Sequence, residues 1–223
     1  MAVRALHKHL PTPGQEFDIV AVAASAGGLQ VLTELTRRLP ADFTAAVLLA
    51  QHRAAAYPDL LEQLLTLRAA LPVVGDADRQ TPQSGRIYVA PAGRHLVVRS
   101  NGQLDTGREE PIRNVRPSAD LLFESVAARY GSRAVAVVLT GKGDDGARGV
   151  REVRRCGGFV IAQDEATAEH FDMPRAAIDT GQVDLVLPAG RLAFALTALV
   201  MGAEAAVARH PDPGPIGRLA RTG

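Results

Sequence analysis

Three residues of hydrolytic type stand where apolar runs end: Ser25 in F-D-I-V-A-V-A-A-S-A-G-G, His52 in A-A-V-L-L-A-Q-H and Asp145 in A-V-A-V-V-L-T-G-K-G-D-D-G. A serine hydroxyl becomes a useful nucleophile when a neighbouring base takes its proton, and a carboxylate that holds an imidazole in one tautomer makes a histidine such a base. Strand ends of an open parallel sheet converge on one edge, so three groups far apart in sequence can meet in one crevice. That combination would make the chain a serine hydrolase.

Each residue also has a plainer reading. Ser25 precedes Ala26, Gly27 and Gly28, small residues suited to a tight strand-to-helix turn that exposes a nucleophile, with the first helical N–H groups facing developing negative charge. A serine in that place can equally be a helix cap. His52 follows a buried-type strand directly, and histidine ordinarily titrates close enough to neutrality to act as base and then acid; the alternative is a loop histidine without a role. Asp144 and Asp145 are adjacent and point differently, so at most one can orient an imidazole. The pair could instead offer oxygens to Mg²⁺, or Asp145 could cap a helix starting near Gly146. Spacing alone leaves Asp144 and Asp145 open. The glycines meet neither G-x-G-x-x-G nor G-x-x-x-x-G-K-[ST], which demotes nucleotide binding. His7, His9 and His210 lie in terminal segments, and His95 and His170 are less favourably placed, so none of the five is assigned a role.

These residues need a frame to bring them together, and the pattern supplies one. Short β-rich runs alternate with longer amphipathic segments, which predicts an α/β sheet with helices on both faces. Strands are expected at Asp18–Ala24, Ala45–Ala50, Ala134–Leu139, Phe159–Ala162 and Asp184–Leu187. Helices are expected at Leu29–Leu39, closed by Pro40, at Pro58–Arg68, Ser118–Tyr130, Gly146–Arg155, Pro174–Thr180 and Leu192–Val200. Arg86–Ala90 and His95–Arg99, separated by the turn signal P-A-G-R, predict an antiparallel hairpin. Ser100–Pro117 reads as a long polar loop. No internal repeat is evident.

Composition fits this frame. The 223 residues are 47% hydrophobic, with 25 Lys and Arg against 24 Asp and Glu, enough for one sizeable core and without the charge excess expected of a nucleic-acid binder. The single cysteine, Cys156, excludes an intrachain disulfide and a cysteine-cluster metal site, and reads as a core residue in a reducing compartment. The N-terminal M-A-V-R-A-L-H-K-H-L lacks a signal-peptide apolar region, and no run has the length of a membrane span. The expected location is the cytoplasm, without membrane insertion.

Taken together, A-S-A-G-G, L-A-Q-H, Y-V-A-P-A-G-R-H-L, R-P-S-A-D-L-L-F-E-S-V-A, V-V-L-T-G-K-G-D-D-G-A-R-G, I-A-Q-D-E-A-T, M-P-R-A-A-I and V-D-L-V-L-P resemble, in order, the catalytic domain of the chemotaxis protein-glutamate methylesterases, CheB. The resemblance implies a doubly wound, mostly parallel sheet; with the Gly- and Pro-rich, apolar-poor end H-P-D-P-G-P-I-G-R-L-A-R-T-G read as disordered, the chain is expected to divide into an N-terminal extension (1–17), a catalytic domain (18–200) and a disordered tail (201–223). The resemblance also implies a Ser-His-Asp triad of Ser25, His52 and Asp145 that hydrolyses glutamyl γ-methyl esters on methyl-accepting receptor helices and can deamidate glutamines there. It selects Asp145 over Asp144, places a backbone oxyanion donor near Lys142, and implies no metal or organic cofactor.

The family usually carries a phosphorylatable receiver domain ahead of this one, and residues 1–17 are too few for that, so a separate regulatory protein is expected. Lys142 replaces a methionine common in the family, Arg53-Ala54 a Met-Pro, Ala26 a threonine and Asp172 a glycine. These changes sit near the expected mouth of the site and bear on substrate choice. The alternatives to an active methylesterase are a non-catalytic receptor-binding or scaffold domain and a hydrolase of unrelated small esters.

Overall fold

Uninterrupted apolar runs become strands buried on both faces. The computed structural model describes residues 11, 14–53, 60–107 and 115–210. In chain order the elements are β1 (Ile19–Ala24), α1 (Gly28–Arg38), β2 (Ala46–Gln51), α2 (Leu61–Arg68), β3 (Val73–Val74), β4 (Ile87–Val89), β5 (Val97–Val98), β6 (Leu104–Asp105), α3 (Ala119–Tyr130), β7 (Ala134–Val138), α4 (Ala147–Arg155), β8 (Phe159–Gln163), α5 (Asp172–Asp179), β9 (Leu185–Leu187), α6 (Leu192–Met201) and α7 (Ala203–Arg209). Seven strands form one sheet in the order β3-β4-β2-β1-β7-β8-β9, and every pairing within it is parallel.

Side chains alternate across β1 and so serve two cores. Ile19, Ala21 and Ala23 pack with Leu122, Phe123 and Val126 of α3 and Val150 and Val153 of α4. Val20, Val22 and Ala24 pack with Leu32 and Leu35 of α1, Leu65 of α2 and Leu196 of α6. The sheet is therefore covered by helices on both faces, as the α/β reading expected. Strand order reverses direction at β1, the place where open α/β sheets form a crevice at their carboxyl edge.

Local chemistry sets the boundaries near that edge. Leu39 takes an extended conformation (φ −63°, ψ 136°) because Pro40 disfavours a helical residue before it. Gly149 lets α4 lie close on α3, since a Cβ there would stand 2.6 Å from Phe123 Cβ. This contact aligns the N-terminal ends of the two helices.

The antiparallel hairpin exists, but between other partners than expected. Ile87–Val89 is fully buried in the parallel sheet, between β2 and β3, because three consecutive apolar residues suit two covered faces better than a surface hairpin. Val97 and Val98 pair instead with Asp105 and Leu104, across a turn in which Gly102 adopts φ 86° and its N–H donates to the Arg99 carbonyl. The segment expected to be a loop over 100–117 thus contains β6.

The helices expected from Pro58 and Pro174 begin at Leu61 and Asp172. β3 escaped the sequence reading entirely. The expected tail from 201 is also corrected in part: Ala203–Arg209 is helical, and His210 packs its ring on Phe194 and lies 3.3 Å from Thr197 Oγ1. Residues 211–223, most of 1–17, and 54–59 with Ala54 lie outside the described residues. Cys156 is half-buried against the core, as a packing residue.

Candidate active site

Ser25 is the first residue past β1, and its backbone is held from three sides. Its N–H donates to the Thr140 carbonyl at 3.0 Å, continuing the β1–β7 ladder. Its carbonyl accepts from Gln51 Nε2 at 2.7 Å and from the Gly28 N–H at 2.9 Å. Gly27 makes the turn with φ 77°, a left-handed conformation that a residue with a Cβ rarely adopts. Gly27, not Ser25, is the N-cap of α1, and no side chain caps that helix. The helix-cap reading of Ser25 therefore does not hold. Gly141 closes the remaining side, for a Cβ added to it would stand 2.7 Å from Ser25 Cβ.

The parallel register pairs Ala24 with Gln51, so the next residues along the two strands are Ser25 and His52. The His52 N–H donates to the Ala24 carbonyl at 2.9 Å, which fixes its backbone beside the Ser25 turn. Its ring points to the third strand end: Nε2 lies 2.8 Å from Asp145 Oδ2, with only 9% of the histidine side chain exposed. An ionised carboxylate can only accept, so Nε2 carries the proton and Nδ1 is the acceptor of the neutral ring.

Asp145 is buried while Asp144 is exposed, and this separates two residues that spacing could not. Asp145 Oδ1 accepts from Ser118 Oγ and the Asp120 N–H, both at 3.0 Å. Oδ2 accepts from the Ala119 N–H at 2.6 Å as well as from His52. Both oxygens are thus engaged by donors from the start of α3 and from His52. Burial pushes the Asp145 carboxyl up, but the hydrogen bonds from His52, Ala119 and Asp120 outweigh it and hold it below the usual aspartate value.

Two supporting residues escaped the sequence reading. Ser118 caps α3 by accepting the Leu121 N–H, and its own N–H donates to Nδ1 of the buried His95 at 3.1 Å. Asp120, wholly buried, accepts the N–H groups of Gly146 and Gly149 at 3.0 and 2.8 Å through Oδ1. Burial raises its carboxyl above the usual value, with the Asp145 charge adding to the rise. S-A-D ahead of an apolar helix is a start signal, but nothing in it says which loop the helix end will face.

The loop after β7 forms the other wall. Thr140 Oγ1 lies 3.0 Å from the Ala26 carbonyl and accepts the His170 N–H at 2.9 Å, while Gln163 Oε1 accepts the Thr140 N–H at 2.8 Å. Gly141 exchanges backbone bonds with His170 and Met173. Lys142 follows directly, exposed, and Gly143 turns the chain with φ 87°. Arg53 ties its guanidinium to the carbonyls of Ala90 at 2.6 Å and Gln51 at 3.2 Å. Asp172 is exposed at the start of α5.

Among the described residues no helix is long and apolar enough to cross a membrane. The family model described as CheB methylesterase matches residues 20–196. The chain is 40% identical over 206 residues to a protein-glutamate methylesterase/protein-glutamine glutaminase of Moorella thermoacetica, covering 91% of this chain and 49% of that protein. It is 38% identical over 184 residues to the protein-glutamate methylesterase FrzG of Myxococcus xanthus, covering 82% and 55%. It therefore spans about half the length of these curated relatives. The crystal structure of the Thermotoga maritima CheB methylesterase catalytic domain superposes with a TM-score of 0.79 at 34% identity, covering 83% of this chain and all of that one.

Proposed function

The chain belongs to the CheB methylesterase family, and we propose that it hydrolyses glutamyl γ-methyl esters on methyl-accepting receptors with Ser25 as nucleophile, His52 as base and acid, and Asp145 as the carboxylate that orients His52. The observation that carries this reading is the buried His52–Asp145 hydrogen bond at the strand end beside Ser25. With Nε2 committed to Asp145, Nδ1 of His52 takes the Ser25 proton.

Ser25 Oγ attacks the ester carbonyl, and the carbonyl oxygen becomes an oxyanion. Backbone N–H groups of the turn after Ser25 and of the loop at Lys142 are the donors suited to it. His52 returns its proton to the methoxy group, and methanol leaves. A water molecule gives its proton to His52 as its oxygen adds to the acyl carbonyl, and His52 then passes that proton to the departing Ser25 Oγ, releasing the glutamate side chain and restoring Ser25. A glutamine amide passes through the same acyl-enzyme with ammonia as the leaving group, which accords with the names of the relatives. Receptors whose methylated helices lie in the cytoplasm place the reaction there.

The test is methanol release from a methyl-labelled receptor preparation. Release by the wild-type chain and its loss in Ser25→Ala support the reading. Equal release by both proteins, or none from any cognate receptor, would leave a binding or scaffold domain in its place.

A further inference from the structure

Glu169 lies across Gly27. A Cβ added to this glycine would come within 2.7 Å of Glu169 Cβ and 2.8 Å of its Oε2, so the carboxylate rests on the turn two residues beyond Ser25. The placement is held from below by Thr140, whose hydroxyl bridges the Ala26 carbonyl and the His170 backbone. The Glu169 side chain is 68% exposed, and its Oε1 stands 3.6 Å from His170 Nε2. α1 has no acidic residue in its own first turn, so Glu169 brings a negative charge to that end from another element. Lys142, Asp144, Glu165, Asp172 and Arg175 are also charged and exposed on the adjoining segments.

The chemistry of the reaction gives such a charge a use. A glutamyl methyl ester and a glutamine are neutral, whereas the hydrolysed product is an anion of almost the same shape. Shape and apolar contacts separate these poorly, but a fixed negative charge separates the anionic product from the neutral ester at the binding step, while also opposing the oxyanion of the intermediate. Resting on the esterase reading above, the geometry points to Glu169 as a specificity-determining residue: its carboxylate disfavours a glutamate side chain beside Ser25 and so favours binding of ester over release-ready product. Because Glu169 faces water, the effect is modest, on the order of threefold in relative affinity, and shrinks as salt screens it.

The experiment measures binding of two helical peptides of one sequence, one with a glutamate γ-methyl ester and one with the free glutamate, to the Ser25→Ala protein with and without Glu169→Gln. The expected result is that Glu169→Gln tightens the free-acid peptide about threefold at low ionic strength, leaves the ester peptide unchanged, and does neither at high salt. An equal change for both peptides, no change, or failure of either to bind overturns the inference. Methanol release from the ester peptide by the wild-type protein is run alongside. If it is Ser25-dependent while the peptide ratio does not move, only the role of Glu169 falls; if it is absent, the esterase reading falls and this inference with it.

Discussion

Asp145 and Asp120 exchange helix caps: each carboxylate accepts backbone N–H groups at the start of the helix that carries or follows the other. Asp145, just before α4, accepts from Ala119 and Asp120 at the start of α3. Asp120, in the first turn of α3, accepts from Gly146 and Gly149 at the start of α4. The Asp145 carboxylate, proposed to orient His52, is therefore locked by the packing of two helices rather than by its own loop.

Asp120→Ala removes the oxygen that accepts both the Gly146 and Gly149 N–H groups at the start of α4. We expect a loss of about 1–2 kcal/mol of stability, in the range of lost N-caps, with a lower urea midpoint, and a fall in methanol release as Asp145 loses its fixed position. Asp120→Asn keeps an oxygen at the Oδ1 position and should retain more of both properties.

Asp144→Asn alters an exposed side chain and should leave the rate of methanol release near that of the wild type. Asp145→Asn removes the negative charge from the partner of His52 and allows the amide to face the ring with the wrong group. By analogy with other triads, its rate should fall by about 10³- to 10⁴-fold. Equal effects of the two substitutions would contradict the assignment of Asp145.

The same two carboxylates pull stability in opposite directions with pH. Asp145 is held below its ordinary value, so the stability it contributes is present at neutral pH and lost as pH falls through the ordinary aspartate range and then the lowered folded value. Asp120 is raised, chiefly by burial, so its contribution is present at low pH and lost as pH rises through the raised value. Urea midpoints measured between about pH 3 and pH 7 should show Asp145→Asn losing more against the wild type at the upper end, and Asp120→Asn comparing more favourably there.

Gly141→Ala tests the wall beside the nucleophile. The added Cβ would stand 2.3 Å from Met173 Sδ and 2.7 Å from Ser25 Cβ. The thioether can swing away, but Ser25 Cβ is fixed to the strand end. Methanol release should therefore fall sharply while thermal stability drops by about 1–3 kcal/mol, and adding Met173→Ala should restore stability more than activity.

The placement of the candidate residues was legible because they terminate strong apolar strands, and parallel strands align their ends. Ser25, His52 and Asp145 needed only the order of three central strands to meet. What the sequence hid were relations set by packing. β3, with two residues, carries no periodicity to read. Ile87–Val89 looked like half of a hairpin because the turn after it is real, yet burial on both faces drew it into the parallel sheet. Asp120 looked like an ordinary first-turn acid of a helix, and only the close approach of α4 at Gly149 turns it into a cap for a second helix.

The pairing of β1 with β7 joins residues more than a hundred positions apart, and it carries Asp145 toward the edge where Ser25 and His52 already sit side by side. The earlier strands can thus bring Ser25 and His52 together while leaving the imidazole without Asp145. Loop closure over such a span is a slow, late kind of contact. During refolding, the return of the proposed hydrolysis would accordingly mark the docking of the second half of the chain onto the first, a later event than collapse or the formation of helices.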